Sequence, residues 1–239
     1  MMHLTVLGTG SSGNCYVLRN ERGQMLLLDA GIHAKEIKRN IAYDIGSVVG
    51  CLITHEHQDH CRGGKETSKL GVPCFGTPGT REILPWMERT EGPMKQRALG
   101  DYLVMDFPVM HDAADPCGWL ITHRLTGERM IYATDTCGLK YVFPHINYWL
   151  VECNYMEDLI ALQPEMRQSR LRASHMSLER LGAILRANDL SDCQTIILCH
   201  MSRENGDARL MEQRIGYWTR KETYMAKAGD EYTLSLEPF

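Results

Sequence analysis

The chain has 239 residues, a formal net charge of −4, 44% hydrophobic residues and nine cysteines. That length supports one domain over residues 1–239 with a sizeable core, and the mild acidity argues against nonspecific coating of nucleic acid while leaving room for a local basic groove. No apolar run is long enough to cross a bilayer, residues 1–8 lack the charged head of a signal peptide, and the cysteines lack a disulfide pattern, so a cytoplasmic protein with reduced thiols and no membrane partner is expected.

Residues 3–7 and 15–18 alternate or run apolar on either side of a Gly-Ser turn at 8–14, which predicts paired strands. The turn carries Gly8, Gly10 and Gly13. It reads either as a loop that brings backbone N–H groups to an anion or as a tight connection needing positive φ; with no lysine and no helical pattern after it, it is not a P-loop. Residues 24–28 form the next strand, ending in Asp29-Ala30-Gly31, and Ile32, Ile37 and Ile41 mark a weak amphipathic helix over 32–42. An apolar run at 48–53 reads as a buried strand and leads into Thr54-His55-Glu56-His57-Gln58-Asp59-His60.

In an extended segment alternate side chains share a face, so His55 and His57 can hold one metal ion. Asp59 and His60 follow as the chain turns, and can hold a second ion a few ångströms away. Imidazole with carboxylate suits zinc, manganese or iron better than calcium or magnesium. The bland reading is a polar loop of hydrogen-bonded histidines; three histidines and an aspartate this dense favour metal.

Further on, 62–70 predicts a helix starting at the metal, 73–76 a short strand, 80–87 a helix and 88–99 a loop or surface excursion. Residues 103–109 alternate toward His111, and 119–123 with 129–132 flank a turn, predicting a hairpin whose second strand delivers Asp135. Residues 148–152 read as a buried strand and 159–172 as irregular and polar. Ser177 reads as an N-cap before the apolar stripe Leu178, Leu181, Ile184 and Leu185. A strand at 196–198 presents His200, a helix covers 208–221 and a last strand covers 232–236. Pattern alone gives an α/β protein.

The His-x-His-x-Asp-His run matches the signature of the metallo-β-lactamase superfamily, and 109–116, 132–136 and 197–202 resemble that family's third, fourth and fifth ligand motifs in order. With the loop at 7–15, the chain most resembles the YycJ-type branch, nuclease-like relatives of ribonuclease Z. The resemblance covers nearly the whole chain. It implies an αββα sandwich, two mixed sheets flanked by helices, with His55, His57 and His111 on a first metal, Asp59, His60 and His200 on a second, and Asp135 between them. Two divalent ions, zinc or manganese with iron also fitting, would share a hydroxide as nucleophile, and two dications this close need an anionic bridge. Asp29 is similar to the family's structural aspartate, beside the ligands rather than among them. Without the resemblance His111 and His200 read as loop histidines and Asp135 as a turn-initiating aspartate; His111's place between an apolar strand and a hairpin favours ligation.

His175, in Ser174-His175-Met176-Ser177, resembles the histidine that ribonuclease Z relatives place beside the scissile phosphate, where it gives a proton to the leaving oxygen or stabilises charge; its bland reading is a capping-region histidine. The expected catalytic residues are Asp59 and His175. Asp112 and Ser202 are candidates for ordering ligand imidazoles. Arg167, Arg170, Arg172, Arg180 and Arg186 fall within 20 positions and read either as phosphate contacts or as a solvated face. His3, His33, His123 and His145 read as structural or solvated, and no cysteine has a neighbouring base that would make it a nucleophile.

The implied function is a two-metal phosphodiesterase acting on nucleic acid, DNA or RNA, as an exonuclease; a homodimer is compatible with the resemblance. Only 65 positions separate Asp135 from His200, too few for the extra domain of β-CASP relatives, and no Gly/Pro-rich arm of the ribonuclease Z kind is present, which argues against transfer-RNA processing. The alternatives are a small-substrate hydrolase, either a cyclic-nucleotide phosphodiesterase or a glyoxalase-II-like thioesterase, and a noncatalytic nucleic-acid-binding module.

Overall fold

A computed structural model describes residues 1–88 and 92–236. The strands in chain order are β1 (Met2–Gly8), β2 (Cys15–Asn20), β3 (Met25–Leu28), β4 (Val48–Leu52), β5 (Cys74–Phe75), β6 (Gln96–Leu99), β7 (Tyr102–Pro108), β8 (Cys117–His123), β9 (Arg129–Ala133), β10 (Tyr148–Glu152), β11 (Thr195–Cys199), β12 (Glu222–Met225) and β13 (Glu231–Leu234). The helices are α1 (Ala34–Asn40), α2 (Gln58–Cys61), α3 (Gly64–Lys69), α4 (Pro78–Ile83), α5 (Glu157–Ile160), α6 (Glu165–Ser174), α7 (Leu178–Ala187) and α8 (Ala208–Thr219). One sheet has the order β13-β1-β2-β3-β4-β5 and the other β12-β11-β10-β9-β8-β7-β6.

Alternation along the strands sorts the apolar side chains into three layers. Leu4, Leu18, Leu26, Trp119, Tyr132 and Leu150 fill the space between the sheets. Trp149, Val151, Leu198 and Ile131 face the opposite way, against Leu178, Leu181 and Leu185 of α7 and Met211 and Ile215 of α8. Val17, Met25, Leu27 and Ile53 pack against Ile37 and Ile41 on the outer side of the first sheet. Two mixed sheets flanked by helices result, as the resemblance implied. All nine cysteines are free, and burial pushes the thiols of Cys61 and Cys193 up to about 12, so they pack as small protonated hydrophobes.

Several expectations need correction. The helix foreseen at 80–87 begins at Pro78, capped by Thr77 whose Oγ1 accepts from Thr80 N, and ends at Ile83. Leu84 precedes Pro85, which disfavours helical backbone there. The segment foreseen as loop over 88–99 contains β6, an edge strand held by antiparallel pairing to β7 and too polar to alternate visibly; residues 89–91 of that expectation lie outside the described residues. The stretch at 159–172, foreseen as irregular, holds the end of α5 and most of α6. α6 buries only Ser174, so it has no apolar periodicity to read. A further edge strand, β12, was not foreseen.

Strand direction positions everything that follows. β3, β4 and β5 run parallel, and β1 shares their direction through the antiparallel β2. In the second sheet β9, β10 and β11 are parallel, and β7 matches them through the antiparallel β8. The segments leaving β1, β3 and β4, and those leaving β7, β9, β10 and β11, therefore emerge at the carboxyl ends of their strands, where open α/β sheets place their sites.

Backbones approach closely there. Gly31 N donates to Asn14 O at 2.8 Å and Asn14 N to Asp59 O at 2.7 Å. A Cβ on Gly31 would lie 1.7 Å from the Asp59 carbonyl oxygen. Gly13, at φ +142°, and Gly10, at φ +88°, shape the preceding turn, in line with the tight-connection reading. Gly31→Ala is expected to cost about 3 kcal/mol or more in urea unfolding, at or above the top of the usual range for overpacking, because the contact is with backbone. Asp106 offers a second check: burial pushes its carboxyl up to about 6. The folded state then holds the proton more tightly than the unfolded chain, so this group lowers stability progressively as pH rises from about 4 to 6. Asp106→Asn should flatten that stretch of the stability profile and add about 1–2 kcal/mol at pH 7.

Candidate metal centre

After β4 the chain runs without regular structure to His55 and bends at Glu56 and His57, and α2 begins at Gln58 with His57, itself in β conformation, as its N-cap. His55 and His57 meet at their ring nitrogens from either side of that bend, while Asp59 and His60 enter from the first helical turn. α2 is a short helix of its own inside the motif; the helix expected over 62–70 follows it as α3, Gly64–Lys69. His111 follows β7, Asp135 follows β9 and His200 follows β11. Asp29, Asp135 and His200 each adopt positive φ, 57°, 47° and 51°, a conformation costly for L-residues and characteristic of strained functional turns.

Among the described residues three donor groups share Asp135: two are made of the expected ligands, and the third joins Asp135 and His200 to Glu152 and His175. In the first, His55 Nε2 lies 3.0 Å from His57 Nδ1, and His57 Nδ1 lies 3.3 Å from His111 Nε2. Asp135 Oδ2 is 3.7 Å from His55 Nε2 and 3.6 Å from His111 Nε2. In the second, His60 Nε2 is 3.3 Å from Asp135 Oδ2 and 3.6 Å from Asp59 Oδ2, with His200 Nε2 3.7 Å from Asp59 Oδ2. A tetrahedron with metal–ligand bonds of about 2.0–2.1 Å has edges of about 3.3 Å, so both groups have the spacing a divalent ion requires. His200 Nε2, buried and without a hydrogen-bond partner, points the same way. All seven residues expected as ligands are brought together in these two metal-binding groups.

The surrounding layer fixes the rings. Asp29, fully buried, accepts from Thr54 N at 2.8 Å and from Tyr132 OH at 2.6 Å, and lies 2.7 Å from His60 Nδ1. Thr54 Oγ1 is 3.0 Å from His55 Nδ1, and the Ser174 carbonyl is 2.9 Å from His111 Nδ1. Each contact commits one ring nitrogen and leaves the other for the centre. Asp112 reaches His111 Nε2 at 3.3 Å instead of its outer nitrogen, and Ser202 Oγ accepts from Asn205, not from an imidazole. The ring-ordering contacts are made instead by Ser174 and by Asn154, whose Nδ2 lies 3.2 Å from His200 Nδ1.

Charge is concentrated here. Burial opposes ionisation of Asp135, but His200 and His60 hold its carboxyl well below the usual range. Burial likewise opposes protonation of His60 and His200, yet Asp135 with Asp29 holds His60 well above its ordinary value, and Asp135, Asp59 and Glu152 bring His200 to about 10. His55 is lowered well below its usual value by burial and by the neighbouring His60. Buried carboxylates that attract protons onto imidazoles attract metal cations for the same reason.

Glu152 was not foreseen. It is fully buried at the end of β10, its Oε1 2.7 Å from His175 Nδ1 and 3.2 Å from His200 Nδ1, its Oε2 accepting from Thr136 N at 2.8 Å. Burial works against both charges, but their attraction raises His175 and lowers Glu152. The one available signal was a carboxylate closing a wholly apolar strand. His175, at the C-cap of α6, stacks 5.5 Å from His200 and lines a cleft of about 480 Å³ with Thr9, Ser12, Arg167 and Arg203. The arginine cluster is largely engaged: Arg167 with Glu204, Arg172 with Glu157 at 2.8 Å, Arg180 with the Cys137 carbonyl at 2.7 Å, and Arg186 over Trp218.

No helix among the described residues is long and apolar enough to cross a membrane. Residues 25–201 match the family described as Beta-lactamase superfamily domain. The chain is 28% identical over 238 residues to exodeoxyribonuclease YycJ of Bacillus anthracis, covering 90% of this chain and 88% of that one. It is 30% identical over 229 residues to exodeoxyribonuclease WalJ of Streptococcus pneumoniae, covering 84% and 82%. The crystal structure of the metallo-β-lactamase fold protein YhfI of Bacillus subtilis superposes with a TM-score of 0.74 at 17% identity, over 97% of this chain and 98% of that one. Sequence match, sandwich and paired donor groups agree: the chain belongs to the metallo-β-lactamase superfamily, as a binuclear metal-dependent hydrolase related to the YycJ- and WalJ-type exonucleases.

Proposed function

We propose that the protein is an exonuclease that hydrolyses phosphodiester bonds of nucleic acid, DNA in the first instance, in the cytoplasm. The carrying observation is the pair of donor groups sharing Asp135 with the Glu152–His175 pair beside them on one cleft. Relatives matching more than four-fifths of the chain are exodeoxyribonucleases, which supports the substrate class. His55, His57 and His111 would hold one cation, Asp59, His60 and His200 the other, and Asp135 both; zinc and manganese suit these donors, and iron fits as well. Divalent cations bound there supply Lewis acidity toward a phosphate oxygen and an activated water at neutral pH.

The chain's own groups do the rest. Asp135, bordered by His55, His60, His111 and His200, would supply negative charge between the two cations. Asp59, more exposed than Asp135 or Glu152, is the carboxylate placed to take the proton of the attacking water. Glu152 occupies His175 Nδ1, so Nε2 is the nitrogen left to donate a proton to the leaving oxygen.

Two experiments test this. End-labelled single- and double-stranded DNA and RNA should be shortened from one end in the presence of manganese or zinc, not in chelator, and not by His57→Ala. Absence of cleavage of every polymer under either metal would refute the nuclease reading and direct attention to cyclic nucleotides and thioesters. His175→Ala should lower kcat about 10²–10⁴-fold, the usual contribution of a general acid. Glu152→Gln, which keeps the shape but weakens the hold on both His175 and His200, should lower it about 10–100-fold.

A further inference from the structure

A second cleft, of about 460 Å³, lies on the other side of the turn at 9–13. It shares Thr9, Ser12, Met201 and Arg203 with the cleft that contains His175 and His200, so the two adjoin as neighbouring compartments along that turn. The charged residues lining the second compartment are Arg39, Arg203, Lys227 and Glu36. Three cations against one carboxylate stand out in a chain whose net charge is −4. Among the described residues none of the three cations is taken up in an ion pair, in contrast to Arg167 and Arg172, and all three are exposed. Glu36 is occupied at its own helix, where Oε2 accepts from His33 N at 3.3 Å.

The floor between the cations is apolar, formed by Ile32, Met225 and Ala226 with Met201 at the junction. A positively charged groove is what tracks the backbone of a single strand, and the aliphatic floor offers its bases an apolar surface in place of aromatic platforms. Each compartment is the size of a small-molecule site, too narrow for a duplex to descend. We propose that the second compartment is a binding site for single-stranded polynucleotide: the strand passes over the 9–13 turn from the metal centre, and its phosphates contact Arg203 at the junction and Arg39 and Lys227 beyond. This rests on the nuclease reading of the metal centre and adds the path of the strand away from it.

The test uses the full-length enzyme carrying Arg39→Ala with Lys227→Ala, two exposed substitutions that leave the core intact. Binding of a fluorescent single strand of about twelve nucleotides, DNA and RNA in separate arms, is followed by anisotropy in chelator over a range of salt. Loss of two phosphate contacts should reduce the slope of log Kd against log salt by about 1.4, at about 0.7 per contact on single strands. With metal restored, KM for that oligonucleotide should rise about tenfold while kcat holds, whereas bis(p-nitrophenyl) phosphate, too short to reach the second compartment, reports on the metal centre alone. An unchanged salt slope together with an unchanged oligonucleotide KM would overturn the proposed path and leave the nuclease reading standing. Failure of the wild type to cut any polymer would overturn that reading instead, and the salt slope would then decide the second compartment by itself.

Discussion

The buried carboxylate of Asp29 holds the site together. It belongs to the first sheet, yet its donors come from the metal motif, through Thr54 and His60, and from the second sheet, through the Tyr132 hydroxyl. A carboxylate stripped of water costs several kcal/mol unless every oxygen is satisfied, and charge-assisted bonds of this length are the strong kind. The strand ends of two different sheets are consequently fixed against one another at the point where the imidazoles must converge. Positive φ at Asp29 itself is the local cost of aiming it there.

From that fixed point the rest is orientation. Ring nitrogens are committed outward in turn, to Asp29, to Thr54 and to the Ser174 carbonyl, so rotamer freedom is removed before any ligand arrives. The Ser174 contact also ties the centre to α6, the helix that carries His175 at its end. The orientation of the His111 ring and the position of His175 are therefore set by one element. Glu152 extends the same logic, with one oxygen between His175 and His200 and the other on backbone N–H groups of Thr136 and Met176.

Much of this was legible in the sequence because the informative features are local. Four donors within six positions after an apolar run declare a site, and His111, Asp135 and His200 are each announced by the strand before them. Strands buried on one or both faces, such as β4 and β10, advertise themselves by composition. Elements whose stability comes from backbone pairing or surface docking were illegible: β6 and β12 are polar edges, and α6 is polar all round. Glu152 and Asn154 escaped for another reason. Their roles depend on what lies opposite them across β11 and α6, and no spacing along the chain encodes that.

The centre is assembled from segments that are far apart: His55 and His200 stand 145 positions from each other in the chain. Unfolded, the chain retains only the short motif at 55–60 as a chelator, so cation affinity belongs almost entirely to the native state. Folding is correspondingly non-local, because the parallel strands β9, β10 and β11 must align before the last donors arrive, a topology that closes slowly. Scarcity of the preferred ion would then lower the abundance of the protein as well as its turnover, since every molecule that forfeits this linkage spends more time open to proteolysis.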